Sequence, residues 1–195
     1  GRIFDVVEKD CGQYDTVTEV MWVTGAALFI RLADYREVGG LDGHFFAHME
    51  EIDLCWRLRS RGKKLVCIPQ SVVYHVGGAT LKKENPRKTF LNFRNNLLML
   101  YKNLPDKELE HVLFIRGILD RVAALVFYLK KDRANARAVM QARREFEDIR
   151  YSFAASRIEN MMKSTDEIIP ERTHFSIVMK YYLLGKKHFS QLKLF

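Results

Sequence analysis

The segment from residue 24 to residue 80 constrains the fold more than any other part of the chain. Turn glycines, a short carboxylate-rich helix and a strand that ends in histidine follow one another there at loop-sized separations. An α/β enzyme gathers polar groups at the edge of a sheet in this way. The segment therefore predicts a fold of the α/β class.

Local patterns divide this part of the chain into short elements. Extended apolar patterns predict buried strand on either side of a turn at Thr24 and Gly25, and glycines mark the ends of two predicted helices. The predicted strands are residues 20–23, 26–31, 65–68 and 72–75, the predicted helices are residues 32–38 and 50–61, and residues 41–48 form a loop.

The remainder of the chain has a helical pattern. Helices are predicted over residues 89–101, 107–131 and 134–163, followed by a short tail over residues 175–195 that mixes aromatic residues with lysines. The second of these helices holds the most apolar run of the chain, residues 122–129, but Arg116, Asp120 and Arg121 precede that run. We expect this helix to be too charged to span a membrane.

The positive charge is concentrated in the second part of the chain. The net charge is +8, yet residues 1–80 carry 9 Lys and Arg against 11 Asp and Glu, whereas residues 81–195 carry 23 against 13. Such asymmetry indicates an anionic partner for the basic region, and an anionic membrane surface or a lipid-linked molecule is the expected one. Nucleic acid is not expected, because the interleaved aromatic residues Phe90, Phe93 and Tyr101 fall on a helical stripe typical of a core.

The three cysteines indicate a reducing compartment. Cys11, Cys55 and Cys67 are an odd number, and the last two lie in apolar patterns where a reduced thiol packs as a small hydrophobic side chain. We expect a cytoplasmic protein, with peripheral placement at the inner face of the plasma membrane.

The motifs of the first 80 residues resemble those of family 2 glycosyltransferases, rhamnosyltransferases in particular. The residues that carry the resemblance are Thr24-Gly25-Ala26, Gly39-Gly40-Leu41-Asp42, Phe45-Phe46, Glu50-Glu51-x-Asp53-Leu54, Arg57, Gly62, Pro69 and His75. The resemblance implies a GT-A (nucleotide-diphospho-sugar transferase) fold, with residues 1–80 as the acceptor and catalytic half and residues 81–195 as a basic α-helical C-terminal region. It also implies a role in building polysaccharide of the bacterial cell envelope.

In the family the second acidic position of the cluster supplies the catalytic base, and that position is Glu51 here. A sugar hydroxyl has a pKa far above neutrality, so its attack on an anomeric carbon benefits from a carboxylate that accepts the proton. Glu51 stands where the family usually has aspartate, and Glu50 and Asp53 complete the candidate catalytic cluster. The alternative is a solvated helix start whose carboxylates only interact with the helix dipole.

The resemblance assigns the remaining site residues to substrate and metal. Asp53 and Arg57 have the spacing of an ion pair that supports the helix or orients Glu51, although a surface pair has the same spacing. His75 is implied to be one ligand of a divalent metal, Mg²⁺ or Mn²⁺, and a structural histidine at a strand end is the alternative. The residues expected to bind donor or acceptor are Thr24, Gly25, Ala26, Asp42, Arg57, Gly77 and Gly78.

The sequence contains no Asp-x-Asp motif and no glycine-rich phosphate loop. Because the family binds its nucleotide-sugar through an N-terminal half with Asp-x-Asp, we expect that half to be absent from this chain and the chain to be inactive alone. The expected activity of the complete protein is inverting transfer of a sugar from a nucleotide-sugar donor to a hydroxyl of a glycan or lipid-linked glycan. The alternative function is a membrane-surface or glycolipid binding module without catalysis.

Overall fold

Helices account for most of the described chain, and the strands are short. The computed structural model describes residues 2–75, 85–165, 169–173 and 175–192. In chain order, the α-helices there are α1 (Leu32–Glu37), α2 (Glu50–Ser60), α3 (Pro86–Asn103), α4 (Asp106–Leu129), α5 (Arg133–Ile149), α6 (Ala154–Met162) and α7 (Ile177–Tyr182). Turns of 3-10 helix cover Gly25–Ala27, Gly43–Phe45, Arg150–Phe153 and Phe189–Leu192. The strands are β1 (Arg2–Ile3), β2 (Val6–Val7), β3 (Thr18–Glu19) and β4 (Val66–Cys67).

The strands form two small antiparallel pairs within the described residues. β1 pairs with β2, and β3 pairs with β4 so that Thr18 lies opposite Cys67. The backbone N–H of Val20 donates to Leu65 O at 2.9 Å and continues the second pair by one bond. Helices with a few short strands are compatible with the predicted α/β class.

Strand was predicted at residues 20–23, 26–31 and 72–75, and those predictions are wrong. Part of the second segment is the 3-10 turn Gly25–Ala27, and neither Phe29 (92% exposed) nor Tyr74 (96% exposed) is buried. A strand forms where a second strand satisfies its backbone N–H and C=O groups. Among the described residues, the predicted strand at 65–68 is the one observed, as β4 paired with β3, and residues 20–23 contribute to that pair only the single bond from Val20 to Leu65.

The helices α1 and α2 match the prediction to within one residue at each end. α1 ends before Gly39 and Gly40, which have φ of 83° and 68°, and α2 ends before Gly62, which has φ of 73°. Glycine adopts this left-handed conformation without a steric penalty. A Cβ atom at Gly40 would also lie 2.9 Å from the Tyr35 ring, so only glycine fits there.

The helix predicted over residues 134–163 is divided into α5 and α6 by the turn Arg150–Phe153, so the prediction of one continuous helix is wrong. The bend allows Arg157 of α6 to reach the end of α3. Its guanidinium donates to the backbone oxygens of Tyr101 and of Leu104, the latter at 2.8 Å. These bonds satisfy carbonyl groups at a helix C-terminus that have no partner within the helix.

Helix α4 packs through one face only. Its buried residues are Leu109, Leu113, Gly117, Asp120 and Ala124, spaced three or four apart. Asp120 forms ion pairs of 2.9 Å with Arg116 and with Arg143 of α5. None of the helices in the described stretches is long and apolar enough to cross a membrane.

Side chains from both sides of residue 80 pack in one core. Phe45 and Trp56 belong to the same buried cluster as Leu97 of α3 and Phe146 of α5. The division into regions 1–80 and 81–195 stays a prediction, but the second region supplies a large part of the packing around the first.

The prediction for the cysteines holds for one of two positions. Cys55 is fully buried on α2, and burial raises the pKa of its thiol. Cys67 is exposed, so the prediction that it packs in an apolar strand is wrong. β4 has a neighbouring strand, but no layer of the described part of the chain covers Cys67.

A buried ionic network joins α2 to α3. Asp53 is 0% exposed, and its carboxylate accepts hydrogen bonds from Arg57 Nε (2.9 Å), Lys102 Nζ (3.0 Å) and Asn103 Nδ2 (2.7 Å). Lys102, 2% exposed, also donates to Asp42 Oδ2 at 2.7 Å. A buried charge is tolerated only when it is paired and hydrogen-bonded, and this network meets that condition.

We predict that Lys102→Met lowers the free energy of unfolding by about 3 kcal/mol or more, because it leaves a buried carboxylate with one cation fewer. The matched control is Lys64→Met, since Lys64 is exposed and pairs with Glu19 at 2.6 Å. The control is expected to lose no more than about 1 kcal/mol. Urea unfolding followed by circular dichroism measures both. Similar losses for the two variants would contradict the structural importance of the network.

Candidate active site

The loop that precedes α2 has an unusual backbone. Phe46, His48 and Met49 have φ of 61°, 71° and 74°, in the left-handed region that non-glycine residues rarely adopt. Such conformations persist only where the surrounding structure enforces them, and they cluster at functional sites. Glu50 and Glu51 follow directly, so the strained loop determines where these carboxylates lie.

Asn95 of α3 holds this loop in place. Its Nδ2 donates to the backbone oxygens of Phe45, Ala47 and His48, each at 2.8 Å. Its Oδ1 accepts from Arg94 Nε at 3.0 Å and Nη2 at 2.9 Å. Since Arg94 occupies the acceptor side of the amide, the donor side is directed at the loop.

Three polar atoms next to the loop are buried without a hydrogen-bond partner in the described part of the chain. They are His48 Nε2, Glu50 Oε2 and Glu51 Oε2. Nearly all buried polar atoms in native proteins are hydrogen-bonded, and exceptions occur where a ligand or ordered water binds. The first turn of α2 thus offers free acceptors at the positive end of a helix dipole, which stabilises ionised carboxylates.

The pKa of Glu51 is raised. Burial is the main cause, and the charge of Glu50 raises the pKa further. The hydrogen bond from the backbone N–H of Glu51 acts against both and lowers the pKa. A carboxylate with a raised pKa accepts a proton more readily once it is ionised. Burial and the charge of Lys88 lower the pKa of His48, although the charge of Glu50 acts in the opposite direction. The lowered pKa favours a neutral imidazole beside the two carboxylates.

The predicted turn Thr24-Gly25-Ala26 lies next to Glu51. A Cβ atom on Gly25 would lie 3.8 Å from the Cβ of Glu51. Thr24 caps the turn, because its side chain accepts from Ala26 N at 3.4 Å. The structure therefore brings together the predicted base and one of the predicted binding segments.

Asp42 lies in a cleft of about 710 Å³, which Arg57, Arg61 and Lys102 also line. Asp42 Oδ1 accepts from the backbone N–H of His44 at 3.0 Å and contacts its ring Nδ1 at 2.7 Å. Burial alone would raise the pKa of Asp42, but the Lys102 ammonium and the His44 groups outweigh it and lower that pKa to about 2.

Asp53 and Arg57 are inside the protein. Arg57 is 5% exposed, and its guanidinium binds Asp53 and donates to the backbone oxygens of Val38 and of Gly40, the latter at 2.8 Å. The alternative of a surface ion pair is therefore wrong. Asp53 is fully buried and supports α2 from inside the protein. Glu50 and Glu51, on the same helix, are only half-buried.

His75 is exposed at the end of a described stretch. The strand predicted to place it is not observed, and Gly77 and Gly78 lie outside the described residues. Within residues 2–75, 85–165, 169–173 and 175–192, no group of three or more His, Cys, Asp or Glu side chains is arranged to hold a metal ion. The described residues alone do not fit a complete Mg²⁺ or Mn²⁺ site, and the metal role of His75 stays a prediction.

Sequence reasoning missed Asn95, Lys102 and Asn103, which position the site from α3. The signal was a polar residue at an apolar position: Asn95 follows Leu91, and Lys102 follows Leu98, each by four residues, on a face that is buried. A lysine and an asparagine on such a stripe indicate a buried polar network.

Parts of three curated glycosyltransferases are similar to this chain. The pre-mycofactocin glycosyltransferase of Mycobacterium tuberculosis is 31% identical over 141 residues, covering 67% of this chain and 29% of that protein. The rhamnosyltransferase WbbL of Escherichia coli is 33% identical over 69 residues, 35% of this chain and 25% of that protein. The N-acetylglucosaminyl-diphospho-decaprenol L-rhamnosyltransferase of M. tuberculosis is 38% identical over 56 residues, 29% and 18% respectively.

These relatives support a glycosyltransferase family. The chain spans less than a third of the length of each of them. No family model matches the chain, and no solved structure matches it. The predicted resemblance to glycosyltransferases, with rhamnosyltransferases among the relatives, is confirmed at the level of partial sequence similarity.

The pKa of Asp42 predicts a pH dependence of stability. Because this pKa is about 2 in the folded chain against an ordinary 3.8, the contribution of Asp42 is present above the ordinary value and is lost as pH falls toward 2. We expect Asp42→Asn to be less stable than the unaltered chain at neutral pH and to lose less stability over this acidic window. Urea unfolding at a series of pH values measures it, with Asp148→Asn, exposed on α5, as the control. Parallel curves for the Asp42 variant and the unaltered chain would contradict the Asp42–Lys102 pair.

Proposed function

We propose that this chain is the acceptor-side catalytic part of an inverting glycosyltransferase of the GT-A fold. The observation that carries the proposal is Glu51: a half-buried carboxylate with a raised pKa and an unpartnered oxygen, at the end of a strained loop that Asn95 holds. The partial likeness to rhamnosyltransferases supports the same reaction class.

In the proposed step, a hydroxyl oxygen of the acceptor attacks the anomeric carbon of the donor sugar. Glu51 accepts the hydroxyl proton as the new C–O bond forms. The bond from the anomeric carbon to the diphosphate oxygen breaks with its electron pair, and the nucleoside diphosphate leaves. Attack from the face opposite the leaving group inverts the anomeric centre.

The other residues of the site bind or position. The turn Thr24-Gly25-Ala26 and Asp42 are proposed to contact the sugars, and Asp53 with Arg57 fixes the helix on which Glu51 lies. Since the sequence holds no Asp-x-Asp motif, the nucleotide-sugar is proposed to bind to another part of the complete protein. The acceptor is a glycan or a lipid-linked glycan of the bacterial cell envelope.

A divalent cation would offset the charge that develops on the leaving diphosphate. His75 is the proposed ligand from this chain, with the remaining ligands outside the described residues. The proton transfer to Glu51 does not depend on this cation.

We predict that Glu51→Gln in the complete protein lowers sugar transfer about a hundredfold or more, because an amide keeps the shape of the side chain but accepts no proton. Glu50→Gln is the matched control and should lose much less. Transfer is measured by release of nucleoside diphosphate, and donor binding is measured by calorimetry and should be unchanged in both variants. A large loss for Glu50→Gln with near-normal turnover of Glu51→Gln would assign the base to Glu50 instead.

The pH profile gives a second measure of the same residue. The base must be ionised, so transfer should rise with pH through the pKa of Glu51, which lies above the ordinary value of 4.5. The residual activity of Glu51→Gln should lack this rise. An unchanged acidic limb in the variant would exclude Glu51 as the titrating group.

We predict that His75→Ala raises the concentration of Mn²⁺ or Mg²⁺ needed for half-maximal transfer and that excess metal restores part of the activity. One ligand among several is lost, so the site is weakened and not abolished. His44→Ala serves as the control, because His44 is exposed and pairs with Asp42. A metal titration identical to that of the unaltered protein would return His75 to a structural role.

A further inference from the structure

Helix α4 exposes an apolar stripe along most of its length. Its large apolar side chains on this side are between 40% and 70% exposed, and five of them follow one another at intervals of three or four residues. They are Phe114, Ile115, Ile118, Val122, Leu125, Val126, Tyr128 and Leu129. Single exposed apolar residues are common, but a continuous row of this size indicates an interaction surface.

This stripe is not the face by which α4 belongs to the fold. The packing face, centred on Gly117 and Asp120, is buried elsewhere on the helix. A Cβ atom at Gly117 would lie 3.3 Å from Arg143 Nη2, so α5 lies close against that side. The helix thus keeps a second apolar side that the described chain does not cover.

A basic stripe on α5 runs beside the apolar one. The two helices enclose a groove of about 810 Å³ lined by apolar residues that include Leu125 and Met140, and by Arg133, Arg137 and Arg144. These arginines are spaced four and seven residues apart, which places them along one side of α5. All three are exposed, and none has an acidic partner among the described residues. The lining residues of the groove include no acid.

We infer that α4 and α5 form a surface that binds an anionic lipid bilayer, with the stripe of α4 in the headgroup–acyl boundary and the arginines of α5 on lipid phosphates. An interfacial helix requires an apolar face to insert and cations for the headgroups, and both are present side by side. With 24 residues, α4 is about 36 Å long, enough to lie along the membrane plane.

Charge complementarity selects this occupant over a second copy of the chain. In a symmetric dimer the same patch meets itself, so the three unpaired arginines of one copy would lie near those of the other. Like charges brought together in this way oppose association. An anionic bilayer supplies phosphates to every arginine at once. This inference does not rest on the proposed sugar transfer.

The test is flotation of the complete protein with lipid vesicles at low salt. Vesicles of phosphatidylcholine alone are compared with vesicles that contain about one third phosphatidylglycerol. We expect strong binding to the anionic vesicles that weakens as salt rises. Replacing Arg133, Arg137 and Arg144 by Gln should weaken it about a hundredfold, since each basic residue near the surface contributes about fivefold.

Two matched variants control for composition. Lys9, Arg31 and Arg36 are exposed and lie outside the groove, so their replacement by Gln should leave binding within about threefold. Leu125→Ser with Leu129→Ser should abolish insertion, whereas Leu183→Ser with Leu184→Ser, also exposed, should not. Circular dichroism melting checks that each variant is folded.

Hydrogen exchange of the unaltered protein makes the test independent of variant folding: anionic vesicles should slow exchange in α4. The inference is overturned by absent binding at low salt, by equal binding to neutral and anionic vesicles, or by equal losses for the two arginine sets. It is also overturned if Leu125→Ser with Leu129→Ser changes the oligomeric state of the protein in solution, measured as its molecular mass, but leaves its binding to vesicles unchanged.

Discussion

The buried carboxylate of Asp53 is the interaction on which the rest of the structure depends. A charge that is fully removed from water requires cations and hydrogen-bond donors around it, and Arg57, Lys102 and Asn103 supply them. Arg57 also donates to backbone oxygens after α1, and Lys102 also binds Asp42. The network therefore fixes three segments relative to one another: the turn after α1, the helix α2, and α3. If one segment moved away, it would leave a buried charge without its partner, which is strongly destabilising. These segments therefore cannot shift independently.

The position of the proposed base follows from that constraint. The network holds α2 at Asp53 and Arg57, and the first turn of α2 is set by a loop with three left-handed non-glycine residues. Asn95, which stabilises that loop, lies on the same helix as Lys102. Thus α3, which follows residue 80, positions carboxylates that precede it in the chain. A rigid supporting layer of this kind leaves one carboxylate oxygen of Glu51, Oε2, without a hydrogen-bond partner among the described residues, where the proposed reaction needs a proton acceptor.

The sequence predicted what is local and failed on what requires a distant partner. Gly39, Gly40 and Gly62 end α1 and α2 as predicted, because the left-handed conformation is a property of the residue itself. The spacing of Asp53 and Arg57 predicted their ion pair, but not its burial, which depends on α3. Strands at residues 26–31 and 72–75 were predicted from apolar patterns, yet a strand is stable only beside another strand. Asn95 was overlooked because its role is defined by a loop about fifty residues away.

The structure also changes what the positive charge means. Much of the positive charge after residue 80 forms ion pairs within the protein: Lys102 binds Asp42 and Asp53, and Arg143 binds Asp120. Such cations stabilise the fold and are not free to attract an anionic partner. The arginines of the α5 stripe are different, because they are exposed and have no acidic partner in the described chain. Net charge alone therefore overestimates the attraction to an anionic surface. These arginines lie next to the apolar stripe of α4. Their location indicates which surface of the protein would face an anionic bilayer.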